Sequence, residues 1–373
     1  MGRRANGEGS IGKMKDGRWW ARATLPDGRR KAVYGKTRAA VAAKLTSVLK
    51  SNQDGSVIPS DQLTTGQYLS EWVQNYRGTV RESTWWRYEQ LIRIHAVPQI
   101  GRIRLSRLEP RHLESLYRDR LDQGLAGSTV KQLHNVIHNA LDQAHRRSHI
   151  TRNVASLVQP PRVPRSEIKP LSLPEANRLL DAARGDRLEA LYVLALATGM
   201  RKGELQALCW RDIDLQRADL HIQHALQRTP EGYIVSEPKS DRSRRRIMLP
   251  KIAVDALRSH RATQAEERLA LGSAWDNLDL VFANRAGRHL DGGHVLRRSL
   301  RPLLIKAGLP PIRFHDLRHT AATILLCKGV HVKVVSEMLG HSSIALTLDT
   351  YSHVLPHMQT EAAAAMDEAL SAF

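Results

Sequence analysis

Two stretches prevent this chain from folding as one continuous body. Residues 158–170, VQPPRVPRSEIKP, hold four prolines. Each proline fixes φ, removes a backbone donor and pushes its predecessor out of the helical region. The run is therefore extended and semi-rigid, and neither a helix nor a central strand can pass through it. Residues 51–62, SNQDGSVIPSDQ, are polar and turn-rich and read as a second linker. The expected layout is three domains, at 1–55, 61–160 and 166–373.

The formal charge is +20, with 57 Lys and Arg against 37 Asp and Glu. A balance that basic points to a polyanionic partner, most often nucleic acid. The excess is concentrated at the front. Residues 1–50 carry 13 basic against 3 acidic side chains, residues 61–165 carry 16 against 9, and residues 166–373 carry 28 against 24. The front half reads as a grip on the polyanion, and the back half as an ordinary globular domain. Cys209 and Cys327 lie far apart in apolar surroundings, which predicts buried thiols in a reducing compartment and neither a disulfide frame nor a zinc ribbon. MGRRANGEGS has no apolar targeting core, and ALYVLALATGM is too short to span a bilayer. A soluble, cytoplasmic protein without membrane contact is expected.

The fold class expected is mainly α and multidomain. In the first piece SIGKM, RWWARATL and RRKAVYG read as three strands joined at DG (16–17) and PDG (26–28). Thr37 can cap the helix RAAVAAKLTSVLK. Arg22, Arg29, Arg30 and Lys31 stud this small sheet. They form either a surface that enters a DNA groove or a solvated charged face. The second piece predicts four helices, TGQYLSEWVQNYR, STWWRYEQLIRIHAVPQI, EPRHLESLYRDRLDQG and STVKQLHNVIHNALDQAHRRS, starting on Thr or Ser caps. Arg87 and Lys131 are its candidate DNA contacts. The third piece is mixed α+β: helices, then strands through DLHIQHALQRT, YIVSEPK and RRRIMLP, then helices to an Ala-rich tail with Met358, Met366 and Leu370 on one face.

Within the third piece TGMRKGEL (198–205), PKSDRSRR (238–245), FHDLRHT (314–320), LGHSS (339–343) and DTYSHV (349–354) hold the reactive side chains. They supply Arg201, Lys239, His315, Arg318, His341 and Tyr351. Attack on a phosphodiester by a tyrosine needs this set of groups. A phenol with an ordinary pKa of about 10 needs a histidine to take its proton or steady its anion. Two arginines can grip the non-bridging oxygens and stay charged throughout. A lysine on a mobile hairpin can protonate the leaving alkoxide, and a further histidine can bond a phosphoryl oxygen. The chemistry calls for no cofactor and no metal. His315 and Arg318 share a helical face, and Glu204 either orients Arg201 or makes a surface salt bridge with it. Singly, each residue also has an inert explanation: Tyr351 as a packed aromatic, Lys239 as a solvated turn residue, His341 as a helix cap.

Taken in chain order, TGMRKGEL, the lysine hairpin, FHDLRHTAAT and LGHSSIALTLDTYSH resemble the signature of the tyrosine recombinases, the phage-integrase family. The likeness is close over 171–355. Residues 63–150 resemble the family's core-binding domain, and the first 50 more loosely its arm-type-binding domains. The resemblance implies that Arg201, Lys239, His315, Arg318 and His341 activate Tyr351 as nucleophile. It implies a 3′-phosphotyrosyl intermediate, independence of ATP and metal, and a homotetramer on core-type and arm-type DNA sites of a phage or other mobile element in a bacterial host. It leaves room for an excisionase and a host DNA-bending protein, and for a tail that docks on a neighbour or on its own domain. Three rivals remain: a type IB topoisomerase, a DNA-binding protein without catalysis, and a zinc enzyme built on His315 and His319, which stand at metal-site spacing beside an uncongenial Arg318.

Overall fold

The computed structural model describes residues 9–24, 30–53, 62–164, 169–229, 232–237, 244–341, 343–351, 363–364, 366–367 and 370–371. It divides into two compact units, Met1–Arg165 and Ser166–Phe373.

The first unit opens with an antiparallel sheet of β1 (Ser10–Lys13), β2 (Trp19–Thr24) and β3 (Arg30–Gly35), in that order. Gly17, at φ +87, makes the β1–β2 turn, as DG predicts. Ala21 and Ala23 pack on Val41 and Leu45 of α1 (Arg38–Gln53). Thr37 caps that helix, its hydroxyl accepting from the Ala40 amide at 3.2 Å. Alternation then puts Trp20 and Arg22 on the outer face, where Trp20 pairs with Tyr34 and Thr24 with Arg30. Lys31 pairs with Ala23 and so stands at a different register position from Arg22 and Arg30. Arg29 lies outside the described residues.

Next come α2 (Thr65–Asn75), α3 (Glu82–Gln90), α4 (Val97–Ile100), α5 (Pro110–Asp122) and α6 (Gly127–Arg146). α3 and α4 join through a π-helical turn, Leu91–Ala96. The Val97 amide donates to the Ile92 carbonyl there, five residues back, which fits the missing donor of Pro98 into an otherwise unbroken helix. Only α2 has the expected hydroxyl cap, a reciprocal Thr64–Gln67 box. Ser83 and Ser128 lie inside the first turns of α3 and α6, because the carbonyls of Arg81 and Ala126 already close those turns. Among the buried residues of α6, Val130, Leu133, His134, Ile137, Ala140, Leu141 and Ala144 follow helical spacing, with Val136 beside them. They meet Leu69 and Trp72 of α2 in one core.

The second unit begins with α7 (Leu173–Ala183), α8 (Glu189–Thr198) and α9 (Lys202–Ala207). The strands β4 (Ile213–Asp214), β5 (Asp219–Ile222) and β8 (Arg245–Met248) form one antiparallel sheet, and β6 (Ala225–Thr229) and β7 (Gly232–Ser236) form a separate hairpin. Then follow α10 (Lys251–Leu271), α11 (Gly292–Val295), α12 (Arg301–Lys306), α13 (Asp316–Cys327), α14 (Val332–Leu339) and α15 (Ile344–Tyr351). α8 is apolar almost all round, as a central helix must be, and sits in the main core with Val281, Phe282 and Leu317. A smaller cluster of Ala322, Leu326, Val335, Leu339 and Tyr351 joins α13, α14 and α15. Cys209 is buried as expected. Cys327 is exposed, because it ends α13 on the face turned away from that cluster. Among the described residues no helix is long and apolar enough to cross a membrane.

Candidate active site

Two glycines set the geometry. α8 ends at Gly199, φ +62, and α14 ends at Gly340, φ +66. Both are left-handed helix stops that cost a side-chain-bearing residue about 1 kcal/mol or more. The first turns the chain so that Arg201 starts α9. The second presents His341, whose amide closes the helix end on the Ser336 carbonyl at 3.0 Å. The turns are close-packed: a Cβ on Gly199 would stand 2.5 Å from Leu339 Cδ2. The two arginines then cross-link the site. Arg318, on α13, donates Nη1 to the Gly199 carbonyl, and Arg201 donates Nη2 to the Gly340 carbonyl, both at 2.8 Å.

The charges are unbalanced in favour of an anion. Glu204 is 3% exposed and accepts from Arg201 Nη1 at 2.8 Å and from Arg245 Nη1 and Nη2 at 3.2 and 3.0 Å. Burial works to raise its pKa, but the hydrogen bonds and charges of the two arginines win and it lies below the usual carboxylate range. The surface salt bridge allowed by the Arg201–Glu204 spacing is thus a buried one. Arg318, also 3% exposed, has no such partner. Its Nη2 is buried and makes no hydrogen bond among the described residues. Burial, then Arg201 and Arg245, push the guanidinium down to about 9, so it remains a cation at neutral pH. Two guanidiniums share the Glu204 carboxylate, and the third, Arg318, keeps a buried donor in hand. A buried unpaired donor costs about 1–3 kcal/mol, which an anionic oxygen would recover.

Tyr351 is 1% exposed, and its hydroxyl hydrogen-bonds with His319 Nδ1 at 2.8 Å. His341 Nδ1 lies 2.7 Å from the Thr347 hydroxyl. Thr347 and Tyr351 are the buried residues of α15, so that helix is seated by two side chains, each bonded to a histidine. Ile344, Leu346 and Leu348 of the same helix are exposed. Burial raises the Tyr351 phenol to about 12, against the pull of Arg318. Burial, then the adjoining His315, hold His319 at about 4. With the phenol raised and the imidazole lowered, proton transfer between the two is uphill. The pair is neutral, and the phenol is at rest. Burial and then the Arg318 and Arg201 charges likewise hold His341 at about 4. His315 is more open to water, yet desolvation and Arg318 lower it too; its ring stands edge-on to His319, centroids 5.1 Å apart.

Of the residues singled out from sequence, Arg201, His315, Arg318, His341 and Tyr351 converge here. Lys239 lies in 238–243, outside the described residues, between β7 and β8. His319 and Arg245 were not among the catalytic candidates. His319 was visible only as the residue four after His315; nothing in the sequence singled out Arg245. Among the described residues no three His, Cys, Asp or Glu side chains cluster to hold a metal. In the first unit Arg87 donates to Gln132 Oε1 from Nε and Nη2 at 3.2 and 3.1 Å. This sets Arg87 of α3 beside the residue that follows Lys131 on α6.

Residues 170–358 match the model of the phage integrase family, and residues 64–121 match the phage integrase N-terminal SAM-like domain. The chain belongs to the phage integrase family. Members of this family, the tyrosine recombinases, are site-specific DNA recombinases, and this chain is one of them. It is similar to the XerC-like tyrosine recombinase of Caldanaerobacter subterraneus subsp. tengcongensis, at 30% identity over 95% of this chain and 97% of that one. Its fold resembles that of the Tn1549 transposon integrase in complex with a circular intermediate DNA, at TM-score 0.66 and 21% identity, covering 78% of this chain and 95% of the other. It also resembles a lambda integrase tetramer bound to a Holliday junction, at TM-score 0.57 and 19% identity, covering 92% and 96%. The expected mainly α, multidomain fold class is thereby established, small sheets included.

Proposed function

We propose that Tyr351 is the nucleophile of this recombinase and that Arg201 and Arg318 hold the non-bridging oxygens of the scissile phosphate. The observation that carries the reading is the buried, unbonded Nη2 of Arg318, set among three guanidiniums and one carboxylate beside Tyr351. Attack by the phenol on phosphorus, with His315 taking the phenolic proton, makes the 3′-phosphotyrosyl bond and breaks the bond to the 5′-oxygen, which Lys239 protonates. His341 serves a phosphoryl oxygen. A 5′-hydroxyl from a partner duplex then reverses the step, so bond energy is conserved and neither ATP nor metal is consumed. Tyr351 must first leave His319, and a helix anchored by two hydrogen-bonded side chains can let it do so at a cost of a few kcal/mol.

Residues 1–55 read as an arm-site domain, 61–160 as the core-binding domain and 166–373 as the catalytic domain. Arg22 and Arg30 on the outer sheet face, with Arg29 and Lys31 near them in sequence, and Arg87 and Lys131 are the proposed DNA contacts. The working assembly is a tetramer on two attachment sites in a bacterial cytoplasm, as the lambda structure suggests by analogy; an excisionase and a host DNA-bending protein would set direction. The test uses duplexes that the full chain selects from a random pool, nicked beside the cleaved phosphate so that religation is blocked. Wild type should accumulate a covalent adduct and Tyr351→Phe none. An adduct from Tyr351→Phe, or none from wild type, would overturn the assignment.

A further inference from the structure

The geometry points to Arg245 as a positioning residue that holds Arg201 on the scissile phosphate through Glu204; the inference rests on the role proposed for Arg201. Arg245 is the first residue of β8, at the exit of the 238–243 segment that carries Lys239. It is 7% exposed. Its fork grips both oxygens of Glu204, and its Nε donates to the Met338 carbonyl at 2.6 Å. Glu204 in turn holds Arg201 twice, by the backbone amide and by Nη1, both at 2.8 Å. A single buried guanidinium thus ties three pieces of chain: the strand leaving the lysine segment, the start of α9, and the end of α14 just before Gly340 and His341. The guanidinium packs against the helix end, where a Cβ on Gly340 would lie 2.9 Å from its Nη1.

What this arrangement does follows from Glu204. A carboxylate paired with Arg201 alone would fold that guanidinium down onto itself. Shared with Arg245, it is drawn from two sides and fixes the Arg201 head where its Nη2 reaches across to Gly340. Lysine cannot replace Arg245, because an ammonium lacks the planar fork that serves two carboxylate oxygens and a carbonyl at once. Arg245 also keeps the charge of the site positive without touching the phosphate oxygens that Arg201 and Arg318 take.

The test compares adduct formation on the nicked duplex carrying either an ordinary phosphate or an uncharged methylphosphonate at the cleaved position. An uncharged centre needs less from a correctly placed guanidinium. Arg245→Lys should slow adduct formation on the phosphate about 100-fold, the scale of an ångström of misplacement at a reacting centre. On the methylphosphonate it should stay within about 5-fold of wild type, as Arg201→Ala should. Duplex retention should be unchanged. The double variant Glu204→Gln/Arg245→Met, which removes the buried charges together, should show the same split. Equal losses on both substrates, full activity of Arg245→Lys on the phosphate, or loss of duplex retention by both variants would overturn the proposal and leave Arg245 a folding residue at most. Failure of wild type itself to form the adduct would instead count against Tyr351 as nucleophile.

Discussion

Acidification should loosen the catalytic unit through two histidines. His319 and His341 are held neutral by burial, then by His315 for the first and by Arg318 and Arg201 for the second, at about 4 against an ordinary 6.5. At pH 7 both states of the chain leave these rings uncharged and nothing is gained or lost. Below pH 6.5 the unfolded chain takes up protons that the folded chain refuses until about pH 4, so stability falls with pH across that window. Between pH 7 and 5 the loss approaches about 2 kcal/mol per ring at 1.36 kcal/mol per unit. The rings share neighbours and see some water, so about 2 kcal/mol for the pair is the working figure. For a unit of this size that corresponds to roughly 4–8 °C in Tm. The control is His319→Asn/His341→Asn. Both histidines use Nδ1 for their contacts, and an asparagine amide occupies that place without titrating. Scanning calorimetry on the full chain should show wild type losing about 4–8 °C more than the double variant between pH 7 and 5. Equal losses in the two proteins would refute the account of these rings.

Arg201→Ala or Arg318→Ala should cut adduct formation about 100- to 1,000-fold, as loss of a transition-state donor does, while duplex affinity stays within about 3-fold of wild type by gel shift; a large affinity loss would contradict the division between grip and chemistry. Gly199→Ala should lower stability by about 2–4 kcal/mol, since it forces φ +62 on alanine and drives a methyl into Leu339, and thermal melting would show no change if the turn could relax. Deleting residues 1–55 should spare adduct formation on the core duplex and abolish integration between plasmids; integration at the wild-type rate would remove the arm-site role from that domain.

The local parts of the site were legible, and the reason is geometric. His315 and Arg318 come together because 3.6 residues make a turn, His315 as the N-cap of α13 and Arg318 in its first turn; the left-handed stops at Gly199 and Gly340 emerged only from the fold. The strands and the DG turn of the small sheet could be read from sequence; that Lys31 pairs with Ala23, away from the Arg22 and Arg30 positions, came only with the register. The partners across the fold could not be read the same way. Glu204 and Arg245 are 41 positions apart, and His319 and Tyr351 are 32 apart. No periodicity links such pairs; they meet because cores of α8, α13 and α14 bring their ends together. His319 shows the cost most clearly. At four residues from His315 it fits a metal-site spacing, and only the fold reveals that its Nδ1 faces a phenol. The inert explanation for Tyr351, a packed ring with a satisfied hydroxyl, is a correct description of this resting structure, but it does not exclude the reactive one. The ring is held by one hydrogen bond and by packing against Ala322, Leu326, Val335 and Leu339, beside a guanidinium with an unused donor. The arrival of a phosphate at that donor offsets part of the cost of freeing the hydroxyl. On the role proposed for Tyr351, the two readings are two states of one residue, and release from His319 joins them.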